Sequence, residues 1–135
     1  KATIDGSNYQ SSEMLSSANK VNAGGATTLT LLGNTNEGKT INIIIQGYEG
    51  VGTYEFGGDN FIGVTASYIE VNVSNPADSQ TWQAPYDETV SGSISVSSDA
   101  NDNVQGTFEF EAQSSTNNSF IDVTNGSFNM DYSSF

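Results

Sequence analysis

The residues best placed for chemistry fall in segment 75–88, where Trp82 and Tyr86 stand among Asp78, Asp87 and Glu88. Aromatic rings beside carboxylates and amides suit sugar recognition. The ring covers an apolar C–H face while the oxygens accept from hydroxyls. Segment 74–89 also holds both prolines, Pro76 and Pro85, and the only tryptophan. It reads as a loop, and a structureless loop of this length is commonly functional. A competing reading makes Trp82 the cap of an open end of the sheet, contributing buried area, with the prolines stiffening a crossover.

A second group is Asp99, Asn101 and Asn103, whose oxygens alternate as in a calcium loop. Val104 stands where such a loop needs glycine, and Glu109 falls one short of the twelfth-position ligand. Turn chemistry accounts for the same residues, since Asn and Asp hydrogen-bond their own backbone in tight connections. The expectation is no cofactor, with calcium as the one candidate. Outward Glu109 and Glu111 would lie roughly 7 Å apart on one strand face, within the range for a glycoside-cleaving acid pair. Nothing beside them would bury one acid and raise its pKa, which that chemistry requires.

The chain has no histidine, cysteine or arginine, and its only basic residues are Lys1, Lys20 and Lys39. The usual proton shuttle and thiol nucleophile are therefore missing, and no ordinary base is present to activate the many serines. A non-catalytic protein is expected. The net charge of −13 would repel nucleic acid and anionic lipid alike. Such a charge keeps an exported protein soluble. No run reaches the ~18 apolar residues of a membrane-spanning helix. Because the sequence starts at Lys1, it reads as a mature or trimmed segment whose export signal has been removed.

These residues must be positioned by strands, because period-two alternation dominates the chain. Val90, Gly92, Ile94 and Val96 share one face, and Val104, Gly106, Phe108, Phe110 and Ala112 share another across a turn at residues 99–103. That pattern predicts an antiparallel hairpin with one buried and one wet face. Leu29 and Leu31 match Ile41, Ile43 and Ile45 in a second hairpin with Thr28 opposite Ile44, which is apolar on the outer face. Asp5-Gly6 predicts a tight turn. Ile69, Val71 and Val73 are expected inward, with Tyr68 outward. Segment 13–26 reads as a polar connection with one helical turn around Met14 and Leu15. Ile121 and Val123 are out of phase with Phe128 and Met130, so Asn125-Gly126 is either a hairpin turn or a β-bulge that resets the face. The bulge is the expectation, because the long strand from Val104 to Gln113 needs a comparably long neighbour. The whole predicts a single domain, residues 1–135, of about 8–9 strands: an all-β, meander-rich antiparallel β-barrel or β-sandwich.

A set of phrases in order carries a resemblance: Ala2-Thr3-Ile4-Asp5-Gly6, Leu29-Thr30-Leu31-Leu32-Gly33 and Gly38-Lys39-Thr40-Ile41. Gly52-Thr53-Tyr54, Gly92-Ser93-Ile94-Ser95-Val96, Gln105-Gly106-Thr107-Phe108-Glu109-Phe110 and Val123-Thr124-Asn125-Gly126-Ser127-Phe128 follow. Together they resemble a domain-of-unknown-function family of small envelope lipoproteins from Bacteroidota. The resemblance implies a β-protein of the bacterial outer membrane or cell surface, held by an N-terminal lipid anchor that this cysteine-free segment lacks. It brings no catalytic residues.

The expected function is a non-catalytic binding or accessory module at the cell envelope, taking a glycan through Trp82, Tyr86, Asp78 and Asp87. A structural subunit docking onto an outer-membrane assembly, through a sheet edge or through outward Tyr68 and Ile44, is the alternative. A lipocalin-like carrier is a third reading, and it needs a closed barrel with an unfilled interior.

Overall fold

Alternating side chains favour strands, and strands are what the chain adopts. In the structure, a computed structural model, residues 2–4, 7–9, 17–34, 38–57, 63–71, 74–75, 79–85, 90–114 and 118–132 are described. They form β1 (Ala2–Ile4), β2 (Ser7–Tyr9), β3 (Ser17–Ala23), β4 (Ala26–Asn34), β5 (Lys39–Gln46) and β6 (Gly52–Phe56). The remainder are β7 (Val64–Glu70), β8 (Gln80–Ala84), β9 (Gly92–Ala100), β10 (Asn103–Ser114) and β11 (Phe120–Asp131). All ladders between these strands are antiparallel, and no helix occurs among the described residues.

Nine strands follow one path, β2-β1-β11-β10-β8-β7-β5-β4-β3, and β9 with its neighbour β6 branches from β10. The branch exists because β10 is long enough to serve two neighbours on one edge. Residues from Asn103 to Phe110 pair with β9, and Gln113 and Ser114 pair with β8. Gly92 starts β9 at the fork, where a side chain would collide with the backbone of Glu109 and Phe110. The far end of the path returns toward its beginning at one point, a parallel bridge between Ala18 of β3 and Tyr132, just past β11. The sheet is not closed into a barrel.

The inward phase builds one core inside this curl. Leu29, Leu31, Ile41, Ile43 and Ile45 pack from β4 and β5, and Ile94, Val96, Val104, Phe108 and Phe110 pack from β9 and β10. Phe56 meets Phe110 edge-on with centroids 5.7 Å apart, and Phe108 stacks between Phe110 and Phe128. Fully burying each such side chain contributes about 1.5–3 kcal/mol.

The expected bulge in β11 is present. Gly126 pairs with Phe108 while Val123 pairs with Phe110, so the register shifts around Asn125, whose φ is 52°. The inward phase passes from Ile121 and Val123 to Phe128. Gly126 is needed there because a side chain would strike the Phe108 ring. At the β9–β10 hairpin, Asn101 and Asp102 both adopt positive φ, as a two-residue turn of the right twist requires. Ile4 pairs with Ser7, leaving Asp5-Gly6, which lie outside the described residues, as the connection.

Other expectations are corrected. Tyr68 is 1% exposed, in phase with Val64 and Ala66, while Val71 is exposed and Val73 lies outside the described residues. Both phases of this segment carry apolar residues, and the aromatic ring won the inner one because its hydroxyl reaches Glu70 Oε1 at 2.8 Å. Thr30, not Thr28, stands opposite Ile44. Val90 precedes β9 and is exposed rather than inward. Residues 17–23 of the expected polar connection form β3, hairpinned to β4 through Gly24-Gly25. Met14 and Leu15 lie outside the described residues. The expected loop 74–89 contains β8, whose Trp82 and Ala84 alternate inward.

Candidate functional site: two outer faces

Trp82 is not a surface platform. It is 8% exposed, its ring lies 5.7 Å from that of Tyr68, and its indole N–H donates to Ser119 Oγ at 3.1 Å. A buried indole usually finds such a partner. Tyr86, Asp78 and Asp87 lie outside the described residues. The structure therefore places the ring of the expected sugar site in the core.

The expected calcium group does not converge. Asp99 shares the inward phase of its ladder with Val104 and turns toward the rim of the core. Asn103 faces the other way and donates from Nδ2 to Asn129 Oδ1 and Asp131 Oδ1, each at 2.9 Å. Asn101 forms the turn between them. Among the described residues no three acidic side chains stand close enough to hold a metal.

Asp99 instead organises a clasp. Tyr48 Oη donates to its Oδ2 at 2.6 Å and Tyr132 Oη to its Oδ1 at 2.9 Å. Lys20 Nζ approaches Oδ2 at 3.3 Å and also lies 4.7 Å from the centre of the Tyr132 ring. These partners come from β3, the β5–β6 connection and the end of β11, where the curled sheet nearly meets itself. Burial pushes the Asp99 carboxyl up, but the hydrogen bonds from Tyr48, Tyr132 and Lys20 together outweigh it and hold the carboxyl below its ordinary value. Burial, followed by the bond to Asp99, pushes both tyrosine hydroxyls well above the ordinary range. All three groups are thereby committed to holding the seam, and none is poised for proton transfer near neutral pH.

The outer surface divides into two unlike faces. On β6, β10 and β11 the outward phase carries Glu55, Glu109, Glu111, Asp122 and Asp131, interleaved with Thr and Asn. No lysine shares that phase on those strands or on β9. Most of these side chains are exposed, and Glu111 is half-buried.

On β3, β4, β5, β7 and β8 the outward phase carries no charged residue. It is built of Asn19, Thr30, Asn42, Thr65, Ser67 and similar side chains around Leu32, Ile44 and Ile69, most of them half-buried. The charged residues of these strands, Lys20, Lys39 and Glu70, share the inward phase and emerge beyond the core. Two carbonyl oxygens on the neutral face, Asn19 Oδ1 and Asn42 Oδ1, are buried without a hydrogen-bond partner. Each such acceptor costs about 1–3 kcal/mol.

Ile44 was expected on the outer face and is there, half-buried between Thr30 and Thr65. Sequence reasoning missed Phe120, which is 50% exposed at the start of β11. A signal existed: Phe120 precedes Ile121, and adjacent apolar residues on a strand must face opposite ways.

Comparison with curated proteins found no match, and comparison with solved structures found none. Residues 1–130 match a known domain of unknown function, and the chain belongs to that family, DUF6252.

Proposed function

We propose that this chain is a non-catalytic binding or accessory module of the bacterial cell envelope. It takes a neutral, hydroxyl-rich glycan on the outer face of β3, β4, β5, β7 and β8. The observation that carries this reading is a face without formal charge on a chain of net charge −13. An uncharged ligand gains nothing from an acidic field. It needs closely spaced amides and hydroxyls with small apolar patches between them. Asn19, Thr30, Asn42 and Ser67 around Ile44 supply that chemistry. Placement at the outer surface, through a lipid on a preceding segment, belongs to the same proposal.

Half-buried Leu32, Ile44 and Ile69 favour a second reading, a structural subunit docking by this face onto an envelope protein. A carrier has no closed barrel to support it, because the sheet is open and the inward phase is packed.

The test is affinity electrophoresis through native gels containing hydroxyethylcellulose, xylan or mannan, with the parent chain and Ile44→Glu run together. Retardation by a neutral polymer, lost in the variant, supports glycan binding. Absence of retardation on every polymer, or equal retardation of both proteins, overturns it.

A further inference from the structure

Resting on that reading, the geometry points to the line the glycan follows and to the ring on which it stacks. We propose that an uncharged polysaccharide chain lies across the strands along Asn42, Ser67, Gln83, Gln113 and Phe120, with a sugar face on the Phe120 ring.

These five residues form an unbroken register row over five strands. Asn42 pairs with Ser67, Ser67 with Gln83, Gln83 with Gln113, and Gln113 with Phe120. All five belong to the outward phase. Neighbouring strands lie about 4.8 Å apart, so the row spans roughly 19 Å. That step is close to the length of one sugar unit in an extended chain, so successive sugars would meet successive strands.

The row combines what a sugar needs. Gln83 and Gln113 each carry a donor and an acceptor, Ser67 a hydroxyl, and Asn42 a carbonyl oxygen with no partner. A ligand hydroxyl reaching Asn42 after rotation of the amide would remove the cost of that orphan acceptor. Phe120 supplies the one exposed large aromatic side chain among the described residues. Such a ring offers a broad apolar face to the C–H side of a sugar.

The row also has a charge filter at its aromatic end. Glu111 and Asp122 pair with each other two residues along the strands from Gln113 and Phe120, roughly 7 Å away. They would repel uronate or sulfate groups bound over Phe120 and leave neutral sugars unaffected.

The experiment is affinity electrophoresis in hydroxyethylcellulose and, separately, in polygalacturonate, with the parent chain, Ile44→Glu, Phe120→Ala, Phe120→Tyr and Gln83→Ala. Matched thermal melts identify variants that fail to fold. The expected result is retardation by the neutral polymer only. Phe120→Ala should weaken it about tenfold or more, the scale of an aromatic anchor. Gln83→Ala should weaken it less, and Phe120→Tyr should retain it. Retardation sensitive to Ile44→Glu but unchanged by Phe120→Ala overturns the row and leaves the broader reading standing, whereas equal retardation in polygalacturonate overturns the charge filter and the neutral-glycan reading together. No retardation of the parent chain in either gel overturns both.

Discussion

The two outer faces of this sheet are made by the same backbone rule and differ in what they allow near them. Around β10 and β11 the outward positions are acidic or polar and mostly exposed. Around β4, β5 and β7 they are uncharged, half-buried and interrupted by Leu32, Ile44 and Ile69. Keeping charge off one face of so acidic a chain preserves a surface where contact carries no like-charge penalty. The difference teaches that on a sheet protein the inward phase reports the core, while the outward phase reports where a partner is tolerated.

The largest expected effect tests whether Trp82 belongs to the core rather than to either face. Trp82→Ala should lower the unfolding free energy by about 3–5 kcal/mol, read from denaturant curves. A loss under 1 kcal/mol would return Trp82 to the surface as a platform. Next comes the clasp that holds the seam between the two halves of the sheet. Asp99→Ala leaves the hydroxyls of Tyr48 and Tyr132 without their acceptor and should cost about 2–4 kcal/mol. An Asp99→Ala protein as stable as the parent would show the seam to be held by the backbone alone.

The clasp also fixes a pH dependence. Because the folded Asp99 carboxyl is held below its ordinary 3.8, its contribution is present above that pH and lost as pH falls through the folded value. Tyr48 and Tyr132 are shifted the other way, upward from 10.0, so theirs is present below pH 10 and lost as pH rises through the folded values. Asp99→Asn should therefore flatten the acid limb of stability below the ordinary carboxyl value of 3.8. An unchanged acid limb in urea titrations across that range would contradict the clasp.

The smallest effect sharpens the contrast between the faces themselves. Asn42→Val removes an unpartnered buried oxygen and places a β-branched residue on a strand. Stability should be unchanged or rise by about 1 kcal/mol, while binding to the neutral polymer weakens. A loss above 2 kcal/mol would mean that Asn42 is held by partners and is not an open acceptor.

Much of the fold was readable where one phase is apolar and the other polar. The β9–β10 hairpin and the shared inward phase of Leu29, Leu31, Ile43 and Ile45 came directly from alternation. The β4–β5 register did not, because alternation fixes the face and leaves a two-residue slip open. The bulge at Asn125-Gly126 needed one more argument, since the phase change fits a hairpin turn as well and only the length of β10 favours one continuous neighbour. Reading failed where both phases carry apolar residues, as around Tyr68, and where an edge strand carries almost none, as in β3. It failed in β8 because two prolines flanking a five-residue strand look like loop punctuation. The site was less readable than the fold. Its row assembles residues from β5, β7, β8, β10 and β11, which only strand order brings together. The lone tryptophan drew attention that its burial does not support.

The central claim is that binding follows the neutral face, reaching β10 and β11 only at Gln113 and Phe120 on its border, and does not extend over the acidic surface around Thr107. One pair of substitutions addresses it directly. Ile44→Glu and Thr107→Glu each add one negative charge to an outward position, the first on the neutral face and the second between Gln105 and Glu109 on the acidic one. Both proteins should be compared with the parent for retardation in hydroxyethylcellulose gels. The expected result is loss of binding for Ile44→Glu and parent-like binding for Thr107→Glu. Equal loss in both, or loss only in Thr107→Glu, would contradict the division of the molecule into a binding face and a solvated one.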